Sequence, residues 1–111
     1  MRMLFLLLPA CLLSGSPELS LTWEKNWLAI DGDRLPGPMR IHYLEAYCRA
    51  NSQTTDWVKH TVVGHETKLV SAAKDGSRIE LSCILKDGVT VQHLITASDD
   101  EVDFRLTAHN P

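Results

Sequence analysis

From Leu19 onward, polar and apolar side chains alternate along most of the chain, which is the period of an extended strand with one face buried. Leu19, Leu21 and Trp23 open the pattern, and Trp27-Leu28-Ala29-Ile30 carries it to the turn composition Asp31-Gly32-Asp33. Leu35-Pro36-Gly37-Pro38 then interrupts any regular element. The next stretch, Arg40-Ile41-His42-Tyr43-Leu44-Glu45-Ala46-Tyr47-Cys48-Arg49, predicts a single strand. Its alternation sets Tyr43, Glu45, Tyr47 and Arg49 on one face and His42, Leu44, Ala46 and Cys48 on the other. Residues 49–56 are polar and predict a loop, after which 57–63 resume the extended pattern.

The second half is more regular. Ile79, Leu81, Cys83 and Leu85 alternate with Glu80, Ser82, Ile84 and Lys86, and Val89, Val91, His93, Ile95 and Ala97 with Thr90, Gln92, Leu94 and Thr96. Asp75-Gly76 and Asp87-Gly88 fall between such runs, and Asp-Gly there signals hairpins, because glycine accepts the positive φ the turn requires. Ser98-Asp99-Asp100 turns the chain again into Val102, Phe104, Leu106 and Ala108, with Asp103, Arg105, Thr107 and His109 on the opposite face. No segment carries a convincing helical stripe. The expected fold is all-β, an antiparallel β-sandwich or part of a larger sandwich, built from hairpins and a meander. The sequence stops at Asn110-Pro111, where a further strand would be expected, so the expectation for residues 17–111 includes a sandwich domain truncated at its C-terminus. A half sandwich of that kind would leave an apolar face and an unpaired strand edge in water.

Residues 1–16 read differently. One basic residue, Arg2, precedes an apolar run broken only by Pro9, and the small residues Ser14, Gly15 and Ser16 follow, the order of a secretory signal peptide. The run is shorter than the about 20 apolar residues that span a bilayer as a helix. Cleavage after Gly15 or nearer Ser20 fits, and a less favoured variant makes Cys11 a lipid-anchored residue. The expected location is therefore outside the cytoplasm, periplasmic or extracellular. Without the leader about 95 residues remain, with a net charge of about −4. That balance gives no basic footprint for nucleic acid. Cys48 and Cys83 are then the remaining cysteines, in a compartment that permits disulfides. A bridge between them would close a loop of about 35 residues, worth about 3 to 4 kcal/mol in the chain-entropy model. Two separate thiols, packing as small hydrophobes, is the equal alternative.

Candidate chemistry centres on the stripe Tyr43, Glu45, Tyr47 and Arg49. Two aromatic rings, a carboxylate and a guanidinium on one strand face suit a carbohydrate groove, with rings against sugar C–H faces and charged groups on hydroxyls. The competing reading is a solvated sheet face with ordinary cross-strand pairs. His60, His65 and Glu66 form the closest histidine grouping. On a continuous strand His60 and His65 point to opposite faces, so no metal is expected there. His93, set among Val89, Val91 and Ile95, is expected to be buried or half-buried and to donate to a backbone carbonyl. His109, at the end of the last strand, could pair with Glu45 for proton transfer in an epimerase- or lyase-like enzyme, and the blander reading of Asn110-Pro111 is a turn. No serine-nucleophile elbow, phosphate-binding glycine loop or Cys-x-x-Cys pair is present, and no cofactor is expected. Trp23, Trp27 and Trp57 read most simply as packing residues, although an exposed tryptophan would strengthen the sugar reading.

Several strings carry a resemblance. Trp23-Glu24-Lys25-Asn26-Trp27-Leu28, the stretch from His42 to Arg49, Gly64-His65 with Leu69-Val70-Ser71-Ala72, and the run from Asp100 to Pro111 resemble a set of exported, uncharacterised bacterial proteins. The resemblance covers nearly all of the chain beyond the leader and implies no established activity. It implies a longer all-β architecture, similar in kind to the sandwiches of sugar epimerases and polysaccharide-processing enzymes, which is an analogy of fold alone. The functional expectation is a non-enzymatic binding or structural module with carbohydrate as its ligand class. The alternatives are the N-terminal part of a carbohydrate-active enzyme or a non-functional remnant.

Overall fold

A computed structural model describes residues 15–52 and 56–111. The expected leader and Cys11 thus fall almost wholly outside the described residues. Among the described residues the chain forms three antiparallel sheets, which is the all-β architecture expected. Strands β1 (Leu19–Glu24), β2 (Trp27–Gly32) and β3 (Met39–His42) make a three-stranded sheet in that order. Strands β4 (Tyr47–Cys48) and β5 (Val62–Val63) make a short ribbon. Strands β6 (His65–Ala72), β7 (Arg78–Leu85), β8 (Thr90–Ala97) and β9 (Val102–His109) make a four-stranded meander. No helix among the described residues is long and apolar enough to cross a membrane.

The meander follows the sequence pattern closely. Gly76 and Gly88 sit at φ +76° and +90°, as the Asp-Gly turns demand. Pairing of Leu81 with His93, Cys83 with Val91 and Ile79 with Ile95 puts the alternating residues on one buried face. In the small sheet, Leu21 opposite Ile30 and Trp23 opposite Leu28 turn the apolar side chains toward that face. Leu21, Leu28, Ile30, Ile79, Leu81 and Ile95 then interlock as one core. Val63, Cys83, Leu85 and Val91 form a second, beneath the β4–β5 ribbon. Burying an aliphatic side chain of this size contributes about 1.5–3 kcal/mol. Hydrogen bonds also cross between the sheets: Leu21 N–H donates to the Gly76 carbonyl at 2.8 Å and Leu19 N–H to the Ser98 carbonyl at 3.2 Å. A Cβ on Gly76 would meet Ser20 Cβ at 2.7 Å, so both its φ and this close approach require glycine.

Two local expectations are corrected. The stretch 40–49 is two elements: β3 ends at His42, a turn follows, and β4 begins at Tyr47. Alternation persists through this stretch, but a strand also needs a partner, and the partner changes. Tyr43 N–H donates to the Asn26 carbonyl at 2.6 Å, closing the edge of the three-stranded sheet. Arg49 N–H donates to the Thr61 carbonyl at 2.7 Å, as the chain joins the β4–β5 ribbon. Residues 57–63 are likewise not one strand. Trp57–Thr61 is a single wide helical turn, with β5 following. Asp56 starts that turn, its carboxylate accepting from Lys59 N–H at 3.0 Å while its carbonyl accepts from His60 N–H at 2.9 Å. Lys25 and Asn26 form the β1–β2 turn with φ 50° and 63°, a pair of positive values that matches the right-handed twist of a hairpin.

Candidate functional site

The most connected side-chain cluster lies at the seam between the two cores. His93 is 1% exposed, between Val91 of one core and Ile95 of the other on the same face of β8. Tyr43 packs against the first core and Tyr47 against the second. Both phenols reach the same imidazole: Tyr43 Oη lies 2.6 Å from His93 Nδ1 and Tyr47 Oη lies 2.6 Å from His93 Nε2. The expected backbone-carbonyl partner for His93 is thus replaced by two hydroxyls, supplied by residues 50 and 46 positions away. Trp23 holds the clamp from behind, its Nε1–H donating to the Tyr43 carbonyl at 2.6 Å. The His65 ring meets Tyr47 edge-on with centroids 5.0 Å apart.

The chemistry of a neutral imidazole fits this arrangement. One ring nitrogen accepts and the other donates, so both tyrosines are satisfied at once. Burial, and then the neighbouring His65, holds the His93 pKa below the usual histidine value. Burial first, and then Cys83, pushes the Tyr43 phenol up to about 12. Tyr47 is raised further, again by burial first and then by the neighbouring Cys83 thiol. Both tyrosines therefore keep their protons at neutral pH. Thr67 Oγ1 lies 3.3 Å from the Cys83 sulfur. Both ring nitrogens are thus engaged, and the cluster ties the link around β4 and the edge of the three-stranded sheet to β8.

An open arrangement occupies the outer face of the three-stranded sheet. Trp27 stands directly opposite His42 in the β2–β3 register, and Ala29 opposite Arg40, so these side chains share a face. The Trp27 ring is 40% exposed and stacks on His42 with centroids 4.8 Å apart and planes 19° from parallel. The Arg40 guanidinium lies 4.8 Å from the same ring centroid, within cation–π range. A cleft of about 470 Å³ opens here, lined by Thr22, Glu24, Lys25, Trp27, Ala29 and Arg40 among others. The sequence pattern contained its signal: Trp27 sits on the polar phase of β2, opposite to Leu28 and Ile30, and Arg40 and His42 occupy the same phase of β3.

The residues of the expected stripe are dispersed. Tyr43 and Tyr47 turn their hydroxyls to His93, while Glu45 and Arg49 are exposed in the connections on either side of β4. They do not share one strand face. His109 is exposed near the end of β9, opposite Thr90, and no side-chain hydrogen bond joins it to Glu45 among the described residues. Cys48 is exposed on β4 and Cys83 is buried on β7, both as free thiols, so of the two cysteine alternatives the structure carries separate thiols. No group of three or more His, Cys, Asp or Glu side chains among the described residues could hold a metal ion.

No family model matches the chain, and neither the curated proteins nor the solved structures give a match. What the sheets and the two side-chain clusters define, among the described residues, is a small antiparallel β protein with a Tyr–His–Tyr seam and an exposed aromatic–cationic face.

Proposed function

We propose that this chain is a non-enzymatic binding module of an exported protein, with carbohydrate as its ligand class and the outer face of the three-stranded sheet as the binding surface. The observation that carries this reading is the partly exposed Trp27 ring in an open cleft, with Arg40, His42 and Glu24 around it. An indole offers a broad apolar plane at little cost in conformational entropy, and sugars present a matching C–H face. Arg40 supplies a fork of donors and Glu24 an acceptor, the two capacities that ring hydroxyls require. The charged start, apolar core and small-residue exit of residues 1–16 support export.

A glycan array, followed by titration calorimetry on any glycan retained, tests the reading. The unmodified protein is expected to bind, and Trp27→Ala to lose at least tenfold in affinity while keeping its far-ultraviolet circular dichroism. A paired Glu45→Ala plus Arg49→Ala variant examines the remainder of the dispersed stripe, and its binding is expected to be unchanged. Absence of any glycan bound by the folded protein ends the carbohydrate reading. Binding lost in the Glu45/Arg49 variant but kept in Trp27→Ala moves the site to the link around β4.

A further inference from the structure

The four-stranded sheet has two edges, and they are built differently. The β6 edge carries Lys68 and a register shift between Leu69 and Ser71, two devices that make a strand edge hard to extend. The β9 edge carries neither. Its pairing with β8 runs without interruption from Ala97 opposite Val102 to Thr90 opposite His109, and its eight residues include no proline and no lysine. No strand pairs with its far side among the described residues. Phe104 and Leu106 stand on the core-side phase of β9, opposite Ile95 and His93, yet they are 37% and 54% exposed. A long, regular, unprotected edge beside uncovered apolar side chains is a template for another strand.

We infer that β9 pairs with β9 of a second copy of this chain, antiparallel and centred on Leu106, to make one continuous eight-stranded sheet. A two-fold axis perpendicular to the sheet keeps inner faces with inner faces, so residues of like phase must meet. Among near-complete overlaps this leaves a centre at Arg105 or at Leu106. The first sets Arg105 against its own copy, and like charges directly opposite destabilise a strand pair. The second sets Leu106 against Leu106, Phe104 against Ala108, Arg105 against Thr107 and Asp103 against His109. Apolar residues then meet on the inner face, and a carboxylate meets an imidazole on the outer. Because β6 is guarded, the contact closes as a dimer and does not propagate as a filament.

Sedimentation velocity over a range of protein concentrations gives the first reading, with a reversible monomer–dimer equilibrium expected. Leu106→Lys sets two ammonium groups against each other at the centre. It should weaken association at least tenfold while leaving the monomer's circular dichroism unchanged, since position 106 is already largely exposed. Leu106→Cys in a Cys48→Ser background places two thiols directly across the axis, and mild oxidation should give a covalent dimer. Thr107→Cys in the same background should give none. A protein that stays monomeric throughout, or a dimer that survives Leu106→Lys, overturns the inference. So do species larger than a dimer, or equal cross-linking at positions 106 and 107.

Discussion

Replacing His93 by leucine is expected to cost about 2–4 kcal/mol of folding stability, at nearly constant side-chain volume. The loss comes from the phenols left behind: Tyr43 and Tyr47 each give up a 2.6 Å hydrogen bond, and an orphaned polar group in a protein interior costs about 1–3 kcal/mol. Both tyrosines are only partly buried, so water relieves some of the penalty and the lower half of the summed range applies. The same reasoning predicts a rescue. The triple variant His93→Leu, Tyr43→Phe, Tyr47→Phe removes donors and acceptors together and should recover at least half of the loss, because an apolar replacement of both partners is close to neutral. Urea denaturation of the parent, the single variant and the triple variant measures this. A single variant within 0.5 kcal/mol of the parent, or a triple variant worse than the single, would mean that the three side chains do not act as a unit.

The second large effect is expected at Leu28. Its side chain is fully buried, packed among Leu21, Ile30, Ile79, Leu81 and Ile95, and so belongs to the contact that binds the three-stranded sheet to the meander. Leu28→Ala should cost about 2–5 kcal/mol, the transfer term of the lost methyl groups plus the cavity they leave. For about 95 folded residues a total stability of about 5–14 kcal/mol is typical, so the loss is a large fraction of the whole. Leu106→Ala is the natural comparison, since its side chain is 54% exposed and should cost far less in the monomer. Equal losses at positions 28 and 106 in dilute protein would contradict the placement of the core.

These two residues also show what could be read from the sequence. Leu28 was legible: it lies on the apolar phase of a short alternating run, and the structure buries that phase. So was the meander, because Asp75-Gly76 and Asp87-Gly88 specify local turns and the period of two specifies the faces between them. The burial of His93 followed from the same alternation, but its partners did not. Tyr43 and Tyr47 arrive from elsewhere in the chain, and their arrival depends on a break in the stretch 40–49 that alternation cannot reveal. That break is set by Asn26 and Thr61 carbonyls, both distant in sequence. The same is true of the outer face. Trp27, Arg40 and His42 each occupy a polar phase, but only the β2–β3 register makes them neighbours. Residues 57–61 failed for a local reason, since the helix-starting carboxylate of Asp56 outweighs the β-branched residues that follow it.

The seam also couples stability to pH. His93 has a pKa below its ordinary value in the folded protein and returns to about 6.5 when unfolded, so the unfolded chain takes up the proton first. Its stabilising contribution is complete above about pH 6.5 and is lost as pH falls through the folded-state pKa. A protonated ring would present two N–H donors, and the phenol that donates to the neutral ring would lose its acceptor. The direct measurement is nitrogen-15 NMR of the imidazoles across a pH titration, with His93 assigned through its leucine variant. The geometry predicts a neutral ring at pH 7, held in a single tautomer, that titrates below the ordinary histidine value. A ring that titrates at the ordinary histidine value, with its two tautomers averaged as in free solution, would contradict the Tyr43–His93–Tyr47 seam.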